Sequence, residues 1–146
     1  MTVRIRTFEK GDVKSVLELA NTYASFDGKT SEADLAITEY FRNGFLVAED
    51  RGRIVGFAYG YFRDVPQTVL ENWKAKKVGY VQLMAVAPDH RRKGIGKSLL
   101  TKLLDEFKNA GADLVLLDCP AEAVEAKRLY EKIGFDARFY GMKKRI

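Results

Sequence analysis

The chain has 146 residues, of which 47% are hydrophobic and 31% charged, with a formal net charge of +5 at neutral pH. That length suits a single domain able to bury its own core, and the composition excludes a disordered chain. No apolar run approaches the roughly 20 residues of a membrane helix, and a single cysteine, Cys119, excludes an internal disulfide.

The opening Thr2-Val3-Arg4-Ile5-Arg6 alternates apolar and charged residues and lacks the apolar stretch of a signal peptide. With the lone cysteine, this gives the expectation of a cytoplasmic protein without a membrane partner. The basic balance favours anionic partners. The clusters Lys74-Ala75-Lys76-Lys77 and Lys143-Lys144-Arg145 read as solvated surface.

In chain order, residues 3–8 read as a strand, and Asp12 to about Ala24 as a helix with Val13, Val16, Leu17 and Ala20 at helical spacing. A second helix is predicted from Ser31. There Ser31-Glu32-Ala33-Asp34 resembles a capping box, and Ala33, Ala36, Ile37, Tyr40 and Phe41 share one helical face. Phe45–Glu49 and Ile54–Tyr59 flank Asp50-Arg51-Gly52-Arg53 as a hairpin. Residues 64–77, with Pro66 and Trp73, read as irregular or weakly helical, and a strand follows at about 78–87.

A helix after Gly94 carries Ile95, Leu99, Leu100, Leu103, Leu104 and Phe107 on its apolar face and stops at Gly111. Leu114-Val115-Leu116-Leu117 is continuously apolar, as in a strand covered on both faces. A last helix is predicted over about 121–132, and Phe135–Tyr140 with Met142–Lys144 as a terminal hairpin. The order β-α-α-β-β-β-α-β-α-β-β makes one α/β domain with a mixed sheet.

The most informative stretch is Val81 to Lys97, where an apolar strand meets Pro88 and a basic, glycine-punctuated turn opens a helix. Gly94 and Gly96 let backbone approach a ligand closely, and the first amides of the helix lack internal partners and attract anions. Arg91, Arg92, Lys93 and Lys97 add positive charge. The turn reads as a phosphate cradle.

Arg91-x-x-Gly94-x-Gly96 between a strand and a helix resembles the acetyl-CoA motif of the GCN5-related N-acetyltransferase (GNAT) superfamily. Ala126-Lys127-Arg128-Leu129-Tyr130-Glu131-Lys132-Ile133-Gly134-Phe135 is similar to that family's closing helix and strand. The resemblance covers the whole chain and implies a single N-acetyltransferase domain over residues 1–146. It implies a mixed, mostly antiparallel sheet with splayed central strands flanked by helices. The implied reaction is direct transfer of acetyl from acetyl-CoA, as co-substrate, to a primary amine.

By the same resemblance, Arg91, Arg92, Lys93, Gly94, Ile95, Gly96 and Lys97 hold the cofactor phosphates, and Met84, Ala85 and Val86 align the pantetheine arm and thioester. An amide near Met84 would stabilise the oxyanion. Tyr130 matches the tyrosine that protonates the departing thiolate and borders the cofactor. For the base, Asp118 ends the strand before the last helix, and Tyr80, Gln82, Asp64 and Glu71 border the same region; glutamine cannot serve as a base. Ala123 stands where many relatives carry an asparagine that bonds the cofactor arm.

The acceptor stays open between an amine-bearing small molecule and a protein, with Asp118 favouring a peptide or protein amine. Dimers are common in the family, so a homodimer is a further expectation. Two alternatives remain: an inactive acetyl-CoA-binding sensor or scaffold, and a small basic RNA-binding module around Arg91-Arg92-Lys93. A Walker A reading of Gly94-Ile95-Gly96-Lys97-Ser98 fails because its first glycine would fall on Arg91. One histidine, His90, and one cysteine cannot assemble a metal cluster, and Cys119 has no histidine partner to make it a nucleophile.

Overall fold

A computed structural model describes residues 2–146. Five strands, β1 (Val3–Thr7), β2 (Phe45–Asp50), β3 (Arg53–Arg63), β4 (Val78–Val86) and β5 (Leu114–Leu117), lie side by side in chain order. The first four pair antiparallel, and β5 pairs parallel to β4. A parallel neighbour needs a crossover, which the helix Ile95–Asn109 supplies. Three shorter helices complete the fold: α1 (Val13–Tyr23), α2 (Gln67–Trp73) and α4 (Val124–Ile133), with the crossover helix as α3.

The core lies between the sheet and α3. Ile95, Leu99, Leu100, Leu103 and Phe107 are buried along one face of α3, spaced three and four apart as the sequence predicts. Each such side chain contributes about 1.5–3 kcal/mol of burial. A tight hairpin joins β2 to β3, with Arg51 and Gly52 both at positive φ (52° and 81°), the backbone twist that two-residue hairpins favour.

The strands β4 and β5 share only a short ladder, from Val78↔Leu114 to Val81↔Leu117, while β4 runs on to Val86. The ladder ends with β5 itself, and the register of β4 against β3 shifts at the same level. Tyr59 faces Leu83 and Gly60 faces Val81, so Gln82 is an extra residue with no partner. Such a bulge bends and twists the strand that carries it. It sits where the β4–β5 ladder ends, and beyond it β4 continues against β3 alone.

Two expectations are corrected. The segment Glu32–Gly44 is not an α-helix but a run of tight 3-10 turns, broken at Phe41, whose φ/ψ of −149°/68° is non-helical. Its buried residues are Leu35, Thr38, Phe41 and Gly44, a spacing of three rather than 3.6. Tyr40, Ile37, Ala36 and Ala33 face solvent. The capping box at Ser31 and Asp34 is present as expected.

The predicted terminal hairpin is also absent: residues 135–146 form no strand. Chain direction there is set by local contacts. The Phe135 amide returns to the Tyr130 carbonyl at 3.0 Å, and the Arg138 guanidinium lies 5.1 Å from the centre of the Trp73 ring. Residues 64–77, expected to be irregular or weakly helical, contain the two-turn helix α2. Among the described residues no helix is long and apolar enough to cross a membrane.

Candidate functional site

The parting of β4 from β5 opens a fork, and the direction of the β4 peptide groups follows from one bond. The Ala87 amide donates to the Val55 carbonyl at 2.8 Å, so Ala87 faces β3. Peptide groups alternate along a strand, so those of Ala85 also face β3, opposite Phe57. Those of Met84 and Val86 then face the fork. Of the three residues named from the sequence, Met84 and Val86 thus turn their peptide groups to the fork, and Ala85 turns its own to β3.

The turn after β4 follows directly. Arg92 (φ 60°) and Gly94 (φ 80°) both adopt the left-handed conformation, alternating peptide directions within a few residues. Gly94 caps α3, and the Ser98 amide is the one that first closes onto the turn, at 2.9 Å from the Gly94 carbonyl. The amides of Ile95, Gly96 and Lys97 precede it and lack helical acceptors. A Cβ built on Gly94 meets no atom within 4 Å, so the concavity is open. A helix N-terminus with free amides beside such a turn attracts anions. The Ile95 side chain is buried in the core, leaving its amide as what it offers.

The basic side chains divide. Arg91 does not point into the turn: its Nε donates to the Val86 carbonyl at 2.9 Å, and its guanidinium lies 5.3 Å from the Tyr23 ring centre. Arg92 pairs with Glu125 of α4 at 3.3 Å, an exposed contact of small energetic weight. Lys97 and Lys93 are exposed, and Lys93 lines an open cleft with Asp50, Arg51 and His90, away from the fork.

Helix α4 closes the other side. Its Leu129 stands 3.5 Å from where a Cβ on Gly96 would lie, so α4 rests against the first turn of α3. One residue on, Tyr130 is packed edge-on to Phe135, with ring centres 6.1 Å apart. Burial raises its hydroxyl to about 12, with nearby Cys119 acting in the same direction. The Cys119 thiol is itself pushed up by burial, which argues against a thiolate nucleophile.

Asp118 is the first residue past β5, at the mouth of the fork. It is exposed, and its Oδ2 accepts a hydrogen bond of 2.9 Å from the Tyr80 hydroxyl. Tyr80 is buried, and burial followed by that bond raises its hydroxyl to about 12. Sequence reasoning singled out both residues but not their bond, which depends on the register Tyr80↔Leu116 across the parallel ladder. Asp64 and Glu71 are exposed. The bulge at Gln82 went unread, because one residue among β-formers carries no local signal. Among the described residues no group of three or more His, Cys, Asp or Glu could hold a metal.

The chain has counterparts among known proteins in both sequence and fold. The sequence model of the acetyltransferase (GNAT) family matches residues 13–135. The chain belongs to the GNAT family. A mycothiol acetyltransferase of Saccharomonospora viridis is 28% identical over 143 residues, covering 92% of this chain and 46% of that protein. The chain spans about half the length of several of the curated relatives it matches. Among solved structures, Ard1 of Thermoplasma volcanium superposes with a TM-score of 0.79 at 26% identity, covering 95% of this chain and 86% of that one. The ribosomal-protein-alanine N-acetyltransferase of Brucella melitensis biovar Abortus gives 0.73 at 25% identity, with both chains fully covered. GNAT membership agrees with the mixed, mostly antiparallel sheet flanked by helices.

Proposed function

We propose that the chain is an acetyl-CoA-dependent N-acetyltransferase, folded as one domain over residues 1–146 and working in the cytoplasm on a primary amine. The observation that carries this reading is the bulge at Gln82, at the level where β4 and β5 part and the peptide groups of Met84 and Val86 turn to a fork that leads to the α3 turn. A ligand with an amide-bearing arm and a pyrophosphate matches both halves. The arm pairs with Met84 and Val86 as an added strand would, and the phosphates lie against the amides from Arg92 to Lys97.

Acetyl-CoA supplies a thioester, whose acyl carbon an amine attacks while the carbon–sulfur bond breaks. The Met84 amide polarises the thioester oxygen. Asp118 receives the proton that the attacking nitrogen gives up. The Tyr130 hydroxyl donates to the sulfur as it leaves. Lys97, exposed in the first turn of α3, strengthens phosphate binding in a salt-dependent way.

For the acceptor we favour a peptide or protein amine. Support comes from an exposed carboxylate, Asp118, at the mouth of the fork, and from the likeness to a ribosomal-protein-alanine N-acetyltransferase.

Calorimetric titration with acetyl-CoA, with ATP as control ligand, tests the cofactor half. Binding of acetyl-CoA without ATP binding is the expected result, and folded protein that ignores acetyl-CoA overturns the reading. A screen of peptide amines, amino acids, polyamines and amino sugars for acetyl-CoA-dependent product then tests the acceptor half.

A further inference from the structure

We infer that Tyr80 is a positioning residue for the transfer, fixing through its hydroxyl the Asp118 carboxylate that takes the amine's proton. This rests on the reading of Asp118 given above.

Asp118 is itself exposed just past a four-residue strand, so its side chain has little packing of its own to fix it. Tyr80 is the opposite: it is 8% exposed and lies in the middle of β4's ladder with β5, among Val78, Leu116, Tyr61, Leu70 and Trp73. Gly79 faces Phe107 of α3, so Tyr80 projects from the other face of the sheet, and its ring lies 5.5 Å from that of Tyr61. A ring held this way leaves its hydroxyl at one point in space, and a buried tyrosine hydroxyl normally finds a partner. Here the partner is Asp118 Oδ2 at 2.9 Å.

The Arg63 guanidinium completes the array, with Cζ 3.9 Å from the centre of the Tyr80 ring. A cation over the ring face draws charge from it and makes the hydroxyl a better donor. Arg63 of β3 thus stacks on Tyr80 of β4, whose hydroxyl alone meets a carboxylate oxygen of Asp118 just past β5. The other oxygen, Oδ1, is left for an incoming N–H. In the transfer, an amine proton passes to Asp118, the nitrogen–carbon bond forms, and the thiolate leaves. Tyr80 keeps its own proton throughout, as a hydroxyl held at about 12 would.

The test uses two nucleophiles and the variants Tyr80→Phe, Asp118→Asn and their combination. One nucleophile is a primary amine found in the acceptor screen, protonated at neutral pH. The other is hydroxylamine, which is largely unprotonated there and has less need of a proton acceptor. Tyr80→Phe keeps the ring and the Arg63 contact and deletes only the donor. It is expected to lower kcat for the amine by about ten-fold or more, with melting temperature, acetyl-CoA affinity and the hydroxylamine rate unchanged. Asp118→Asn is expected to show the same selectivity, and the double variant to be no worse than Asp118→Asn, because the two act as one unit.

Equal loss toward both nucleophiles, no loss toward either, or additive losses in the double variant overturns the positioning role. Full amine activity in Asp118→Asn removes Asp118 as proton acceptor and Tyr80 with it. Failure of the wild type to acetylate any amine while binding acetyl-CoA overturns the transferase reading itself.

Discussion

The imidazole of His90 bridges two carboxylates, with Nε2 2.8 Å from Asp50 Oδ2 and Nδ1 2.9 Å from Asp89 Oδ1. Asp50 ends β2, and His90 closes the short turn Pro88–His90 that leads into the basic turn. The bridge therefore ties the candidate phosphate cradle to the β2–β3 hairpin.

Only the imidazolium can donate from both nitrogens. Asp89 first, then Asp50, raises the His90 pKa above its ordinary value. A group with a raised folded pKa contributes stability that is fully present below its unfolded value, about 6.5, and is lost as pH rises through the folded value. The carboxylates behave oppositely. Asp89, held low chiefly by His90, and Asp50, held low by Thr2 and then His90, contribute above their unfolded values near ~3.9 and lose it as pH falls further. His90→Gln should therefore destabilise the protein more at about pH 6 than at about pH 9. Urea unfolding of both proteins at the two pH values checks this, and an equal penalty at both means the bridge is not charged.

Gly79→Ala should destabilise the core. A Cβ at Gly79 would stand 2.6 Å from Cδ1 and Cε1 of the Phe107 ring, which is fully buried and already packed against Phe41 and Phe62. Overpacking of this kind typically costs about 1–3 kcal/mol. Gly96→Ala is the contrast, since its Cβ would meet Leu129 at an ordinary 3.5 Å. Denaturant midpoints should fall for Gly79→Ala and stay close to wild type for Gly96→Ala.

The same Phe107 contacts explain what the sequence hid. Strands, α1, α3 and the turn at Gly94 were legible because their signals are local: alternation, a 3.6 period, a glycine at a left-handed cap. The 3-10 run Glu32–Gly44 was not, because its geometry is set by a distant partner. Phe41 must leave helical φ/ψ to place its ring 4.9 Å from that of Phe107. Residues 135–144 alternate well enough for strands, but a strand is made by its neighbour, and local pattern names none. The Tyr80–Asp118 bond is non-local in the same sense, spanning 38 residues.

Gly94 separates conformation from charge. Its φ of 80° penalises most side chains, but asparagine and aspartate tolerate that region alike. Gly94→Asn and Gly94→Asp should thus fold with similar stability and differ at the cradle, where only aspartate repels phosphate. Acetyl-CoA affinity should be at least about ten-fold weaker in Gly94→Asp than in Gly94→Asn, the equivalent of roughly 1.4 kcal/mol. The gap should shrink as salt is added. Equal affinities measured by calorimetry would place the phosphates elsewhere.

Tyr130 offers the sharpest quantitative expectation. With its hydroxyl at about 12 and an ordinary thiol near ~8.5, complete proton transfer from Tyr130 to a departing thiolate is uphill by roughly 5 kcal/mol. On the proposed mechanism the residue would therefore act as a hydrogen-bond donor to the developing charge rather than as a full acid. Loss of one such donor lowers kcat by about 10²–10³ where charge develops in a sheltered site. Tyr130→Phe should fall within or somewhat below that range, with acetyl-CoA affinity nearly unchanged, because the hydroxyl acts mainly on the leaving sulfur. The pH–rate profile should show no break from Tyr130 between about pH 7 and pH 10, where a phenol held this high stays protonated. Free-thiol release by wild type and Tyr130→Phe across that range measures both points. A wild-type break near ~9 that vanishes in Tyr130→Phe would mean a hydroxyl far more acidic than its burial allows, and unchanged turnover in the variant would take Tyr130 out of the reaction.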